Sequence, residues 1–341
     1  MDAFLWAFRI AVVVVAVWGT FGTLRARTYT GEQWADFVVF GIAQGGIYAM
    51  IALGYTMVYG ILRMINFAHG EVFMSGAYTA YFVAAPLSAS GFLDRRPLPA
   101  LLIVLIVAIA TSTGVALLLE RVAYRPLRGA PRLVPLITAI GASFFLQYSF
   151  RGLYGSGFKA YPEVTVLRGQ WEIAGIGFLR TQAIVLVSVA LMMFLLYAFV
   201  MRTNIGKAMR AVSEDKETAA LMGVDVDRII AITFAIGGAM AGAAGVLYAL
   251  VFKQVHFFMG FVPGIKAFTS AVLGGIGNIP GAMLGGMVLG VVESIGPALF
   301  LDGLGIVAPY QLRDVIAFTM LVTILIFRPR GILGERLAKR A

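Results

Sequence analysis

The chain has 341 residues, 60% of them hydrophobic and 13% charged, with no cysteine and a mean hydropathy of +0.90. A soluble domain carries about 25% charged residues, so this composition excludes a soluble globular protein, and the lack of cysteine excludes disulfides and thiolate metal sites. The net charge of +10 reads as Lys and Arg flanking spans beside anionic headgroups, and no basic soluble domain is present that would serve a nucleic acid.

A lipid-spanning helix needs roughly 20 apolar residues. Runs of that kind predict spans at 4–24, 37–61, 67–85, 98–120, 133–152, 181–201, 226–252, 265–276, 279–300 and 311–327. The fold class is therefore an all-α polytopic membrane protein with about 8–10 transmembrane helices. In the first run, Arg9 precedes the apolar stretch Ile10 to Val17. It reads either as a signal peptide or as an uncleaved helix, and the want of a small-x-small site favours the helix. Residues 1–36 thus form an extra N-terminal helix and outer loop, 37–330 a single membrane domain, and 331–341 a basic tail. The run 265–276 is too short to cross straight, so a broken or re-entrant helix is expected there.

In the 37–61 span, Gln44 and Tyr48 stand four residues apart on one helical face. They can offer hydrogen bonds to a passing solute or bond to a neighbouring helix. The segment Arg63 to Glu71 places Asn66, His69 and Glu71 at or inside the membrane boundary, where polar groups are costly unless paired or facing water. One reading makes Asn66 a helix cap with Glu71 near the positive dipole end; the other makes the three line a translocation path. His69 and Glu71, two apart, share no helical face, which argues against a metal pair.

Basic loops set the orientation. Arg121, Arg125, Arg128 and Arg132 fill one loop, a second lies at 202–228, and the tail carries Arg328, Arg330, Arg336, Lys339 and Arg340. An even number of crossings must separate each pair if all three face the cytoplasm. For the last pair, that requires 265–276 to count as one crossing. The outer loop at 153–180 is expected to form a small β-hairpin, with Val164, Val166, Trp171 and Ile173 alternating around Arg168-Gly169. Such a hairpin either meets a soluble partner or caps the bundle.

The polar segment 202–225 sits between two apolar runs. Ser213 is the expected N-cap, with Glu214, Asp215 and Glu217 in the first turn and Gly223 the C-terminal stop. A helix of about two and a half turns is not stable alone in water, so its Ala219, Ala220, Leu221 and Met222 end must pack on something, a partner or this chain's own surface. Small faces at Gly41 and Gly45, Gly238 and Gly242, and Gly277, Gly281 and Gly285 let helix backbones approach closely in lipid. Glu293 lies deep in its span and needs a partner or a proton; Arg313 and Asp314 most simply satisfy each other. There is no phosphate-binding G-x-x-x-x-G-K-[ST] motif, so the chain is no ATPase by itself. A secondary transporter would want several intramembrane carboxylates. An intramembrane enzyme would want a Ser-His pair or H-E-x-x-H, and His69 and His256 are the only histidines.

Four stretches carry a resemblance: GIAQGGIYAMIALGYTMVYGILRMINFAHGEVFMSGAY (41–78), ERVAYRPLRGAPRLVPLITAIGASFFLQ (120–147), GKAMRAVSEDKETAALMGVDVDRIIAITFAIGGAMAGAAGVL (206–247) and GIKAFTSAVLGGIGNIPGAMLGGMVLGVVES (264–294). Together they resemble LivH-type permeases, the membrane subunits of branched-chain amino acid ABC importers, over about 37 to 334 and in order. Residues 1–30 depart from that pattern. The resemblance implies an ABC importer permease fold in a bacterial inner membrane, working by alternating access. It implies four kinds of partner: a LivM-type second permease, two ATPase subunits that use ATP and Mg, a periplasmic or lipid-anchored binding protein, and membrane lipids. No cofactor is expected on this chain. Segment 204–224 resembles a coupling loop, so Glu214, Asp215, Ala219, Ala220 and Gly223 become the expected ATPase contacts. Relatives of this pattern import leucine, isoleucine and valine, and others carry urea, short amides or other amino acids.

Overall fold

The computed structural model describes residues 2–131, 133–173, 176–328 and 330–334. In chain order the helices are α1 (Asp2–Ala26), α2 (Gly31–Leu62), α3 (His69–Ala89), the single turn α4 (Phe92–Arg95), α5 (Pro97–Leu119) and α6 (Leu133–Tyr154). They continue with α7 (Arg180–Arg202), α8 (Asn204–Glu214), α9 (Lys216–Leu221), α10 (Val226–Phe252), α11 (Phe261–Gly274), α12 (Ile279–Gly296) and α13 (Arg313–Phe327). Two antiparallel ladders join β1 (Lys159–Ala160) to β4 (Gln254–Val255) and β2 (Gln170–Ile173) to β3 (Ile176–Leu179). Tighter or wider turns extend α5, α12 and α13. Among the described residues nine helices are then long and apolar enough to cross a membrane, so the chain is the all-α polytopic membrane protein expected.

Local chemistry sets the helix ends. Thr30 and Gln33 form a reciprocal capping box at the start of α2. Pro97 opens α5, where its missing N–H is no loss, and Asn278 caps α12 by accepting from the Gly281 N–H. Between the spans, packing follows the small residues. A Cβ added to Gly41 would meet the Val291 Cα at 2.7 Å, and one on Gly45 the Gly286 carbonyl at 2.6 Å, so α2 and α12 touch backbone to backbone. Gly242 does the same against Ala108, and Gly238 against Ala116, fastening α10 to α5. Gly281 and Gly285 meet Gly274 and Ser270 of α11. Gly277 departs from the expected packing role: it has φ +98° in the turn between α11 and α12, with nothing near its Cβ position.

The two ends of the bundle differ. At one end Arg125 and Arg128 both bind Asp227, Arg63 donates to the Ser213 carbonyl at 3.2 Å, and Ile332 and Leu333 bond back to Leu273, Gly274 and Asn278. The three basic segments therefore lie together, apart from Arg132 and the tail residues Arg336, Lys339 and Arg340, which fall outside the described residues. The opposite end holds both β ladders. After β4 the chain turns back into the bundle, and the Gly260 backbone presses on Gly70 at the start of α3. The 14-residue α11 then carries it to the basic end. One crossing is thus made by an irregular entry plus a short helix, a backbone tolerated because protein encloses it.

The hairpin lies farther along than expected. Val164 and Val166 sit in and beside a turn of 3₁₀ helix at Thr165–Leu167, and the strands are β2 and β3, the connection at 174–175 lying outside the described residues. Gly169, with φ +97°, supplies the bend that separates turn from strand. α1 packs its Gly19 and Gly22 face on the backbone of residues 300–303, with the Thr23 hydroxyl donating to the Ala298 carbonyl at 3.0 Å.

Candidate functional site

Three polar assemblies stand out against the apolar bundle. The first is a buried charge cluster contributed by four helices. Lys266 of α11, 2% exposed, donates to Glu293 Oε1 of α12 at 2.6 Å and to Asp314 Oδ1 of α13 at 2.6 Å. Gln44 Nε2 donates to the same Glu293 oxygen at 3.1 Å, and the Tyr48 hydroxyl donates to that oxygen at 3.4 Å. Arg313 Nε stands 3.8 Å from it. The glycine contact between α2 and α12 makes this convergence possible, since bulkier faces would hold Gln44 away from Glu293. Arg313 and Asp314 do not chiefly satisfy each other, as the sequence suggested: they stand 3.8 Å apart, while Lys266 takes the Asp314 carboxylate.

Gln44, Glu293, Ser294 and Arg313 form one side of a cavity of about 350 Å³ whose other side is Phe178, Leu179 and neighbours of the β2–β3 hairpin. The cavity lies toward the end of the bundle opposite the basic segments. Its volume falls at the lower edge of the roughly 300–1,000 Å³ usual for small-ligand sites.

The second assembly surrounds Glu71, which accepts from Gln147 Nε2 at 2.6 Å and from the Ser143 hydroxyl at 3.3 Å. It borders a mostly apolar cavity of about 280 Å³ with Phe67, Phe144 and Phe261 in its wall. His69 stacks edge-on to Tyr55 with ring centroids 5.0 Å apart, in the space left by Gly54. Asn66 is not a helix cap: its side-chain oxygen accepts from the Tyr124 hydroxyl at 2.9 Å, and Ala68 occupies the cap position of α3. The five path candidates are thus split. Gln44 and Tyr48 join the charge cluster, Glu71 lines the second cavity, His69 is buried against Tyr55 and Gly54, and Asn66 binds α5's continuation.

The third assembly is the 202–225 segment, which folds as two helices rather than one. Thr203 caps α8 by accepting from the Gly206 N–H at 3.0 Å. Ser213 is inside α8, and the break follows it: Asp215 caps α9 by accepting from the Glu217 and Thr218 N–H groups. Gly223, at φ +84°, ends it. Burial by the fold, with Arg128 and Arg63 nearby, lowers the affinity of the Lys216 amine for its proton. Glu214, Asp215, Ala220 and Gly223 are exposed. Ala219 is buried, at 4% exposed, and seats α9 on the protein, which corrects its expected contact role. The apolar groups that face outward are Leu221 and Met222, 88% and 79% exposed.

Sequence reading missed Lys266, Ser143 and Gln147. A lone lysine within an otherwise apolar helix is the signal for the first, because an unpaired ammonium there is costly. Ser143 and Gln147 stand four apart and so share a face.

Comparison with known proteins places the whole arrangement. The family model described as "Branched-chain amino acid transport system / permease component" matches residues 37–325. The chain is 46% identical over 301 residues to the high-affinity branched-chain amino acid transport system permease protein BraD of Pseudomonas aeruginosa, covering 87% of this chain and 95% of that protein. It is 42% identical over 300 residues to LivH of Escherichia coli K12, covering 86% and 94%. A probable LivH permease of Methanocaldococcus jannaschii is 26% identical over 294 residues, 86% and 90% of the two chains. No solved structure matches. The glycine-faced bundle, the polar α8–α9 insertion and this similarity along nearly the full length agree: the chain belongs to the permease components of branched-chain amino acid transport systems.

Proposed function

We propose that the chain is one of two permease subunits of an ATP-driven importer that carries leucine, isoleucine and valine across a bacterial inner membrane. The substrate reading rests on the names of BraD and LivH, both high-affinity branched-chain amino acid permeases. The geometry that carries the motor reading is the α8–α9 segment, an ordered helical pair held by Arg63, Asp215 and Ala219 and presenting Leu221 and Met222 to solvent. Exposed apolar side chains rimmed by polar ones mark protein contacts.

In this reading the basic end faces the cytoplasm. Two ATPase subunits, which bind the ATP and Mg, meet Glu214, Asp215, Ala220 and Gly223 with Leu221 and Met222 between them. The helix α1 is retained. A second permease of the LivM kind completes the path; part of such a permease from Methanocaldococcus jannaschii is 29% identical to this chain over 160 residues. A binding protein delivers substrate at the hairpin end. ATP binding draws the motor subunits together, α8–α9 moves with them, and the glycine contacts of α2, α10 and α12 re-pack. Ala220→Arg places a charge at the proposed docking face without touching the core. Co-purification of the ATPases with this variant is expected to fall at least tenfold, about 1.4 kcal/mol, while the permease itself remains folded. Retention of the ATPases at the wild-type level would refute the docking assignment.

A further inference from the structure

The charge cluster is more elaborate than a structural ion pair requires. Lys266 is satisfied by two carboxylates, and Glu293 Oε1 receives Lys266, Gln44 and Tyr48. The other oxygen of the same carboxylate, Oε2, is buried with no donor in reach. Buried carboxylate oxygens left without a donor cost stability, and they are rare enough to ask for a reason. Arg313, by contrast, is only partly covered, 43% exposed at its side chain, and lines the same cavity as Glu293. An anion acceptor and a cation acceptor thus stand side by side, with Arg313 Nε 3.8 Å from Glu293 Oε1, on the wall of a space of about 350 Å³.

We propose that this cavity is an entry site for an amino-acid zwitterion, with Glu293 Oε2 accepting the α-ammonium group and Arg313 binding the α-carboxylate. The arriving ammonium group supplies the donor that this oxygen lacks. The side chain of the amino acid then lies against Phe37, Phe40 and Phe178, the apolar part of the lining. Opposite charges carried as a pair match a wall that already pairs its own, so neither end of the ligand is left uncompensated in a low-dielectric site. Gln182, on the first turn of α7, borders the same space. The assignment rests on the import reading above, which names amino acids as cargo.

The absence of cysteine from the natural chain makes a direct test simple. Gln182→Cys in the otherwise intact transporter, reconstituted in liposomes, gives one thiol on this chain at the cavity wall. Its rate of modification by a water-soluble maleimide is followed by mass spectrometry of this subunit. Millimolar L-leucine is expected to slow the reaction at least threefold. Leucinamide, which lacks the carboxylate, and 4-methylpentanoate, which lacks the ammonium group, are expected to leave it unchanged. Arg313→Gln, which spares the Lys266–Glu293 pair, is expected to abolish the leucine effect while the ATPase subunits still co-purify. Protection by leucinamide equal to that by leucine would overturn the zwitterion assignment. So would absence of leucine protection in a transporter that imports leucine. If the wild-type assembly imports no branched-chain amino acid at all, the import reading itself fails, and this site assignment falls with it.

Discussion

Removing the Lys266 ammonium tests whether the charge cluster holds the bundle together. Lys266→Met keeps most of the apolar stem and the volume and deletes a charge 2.6 Å from Glu293 Oε1. At an effective dielectric of about 20, two unit charges at that separation attract by about 6 kcal/mol, most of which is offset by the desolvation of both groups. The measurable quantity is therefore the asymmetry. Leaving one member of a buried pair alone destabilises by about 3–5 kcal/mol. Here Gln44 and Tyr48 still donate to Glu293, which places Lys266→Met near the lower limit, about 3 kcal/mol. Glu293→Gln leaves Lys266 with Asp314 and lands in the same range. The double variant removes both charges, so it is expected to recover about 2 kcal/mol of the summed loss, within the range found for touching residues. Equilibrium unfolding in bicelles, run on all four proteins, gives this coupling directly. Additivity of the two single effects to within about 0.5 kcal/mol would refute the claim that these groups form one unit.

Three further outcomes follow from the geometry. Gly290→Ala drives a methyl into the Gly45 backbone and is expected to destabilise by about 1–3 kcal/mol; an unchanged melting temperature would show that α2 and α12 do not approach as described. Tyr124→Phe leaves the Asn66 side-chain oxygen, inside a buried residue, without its donor, and a loss of about 1–3 kcal/mol is expected in the same unfolding assay. At the hairpin end, Lys253 and then Arg168 hold the Glu163 carboxyl below its usual range. Its folded affinity for a proton is thereby lowered, so its contribution is fully present above the unfolded value of about 4.3 and is lost as pH falls through the folded one. Hydrogen exchange around residues 159–161 and 253–255 is expected to quicken only below about pH 4, and in Glu163→Gln to show no such step; a step that persists in the variant would assign it to another group.

Much of this molecule is legible one helix at a time. The spans follow from apolar length, and the close contacts of Gly41, Gly45, Gly238 and Gly242 follow from spacing, because both depend on local runs of residues. Cap positions were less legible. Ser213 and Asp215 are both good caps, and the choice between them depends on where α8 stops, at Glu214, beside the Ser213 carbonyl that accepts from Arg63. Asn66 looked like a cap for the same local reason and was claimed instead by Tyr124, 58 residues away. Partners across the bundle were the least legible. Lys266, Glu293 and Asp314 lie on three helices, and nothing in their spacing announces that they meet. The sequence pairs Arg313 with Asp314 only because they are adjacent.

Under the proposed function, this permease moves branched-chain amino acids only as part of an ATP-driven assembly. Uptake of labelled leucine into liposomes containing the chain with its second permease, ATPases and binding protein, with and without internal ATP, tests it most directly. Accumulation is expected to require ATP and to be competed by isoleucine and valine. Leucine entry driven by an ion gradient through this chain alone would contradict it.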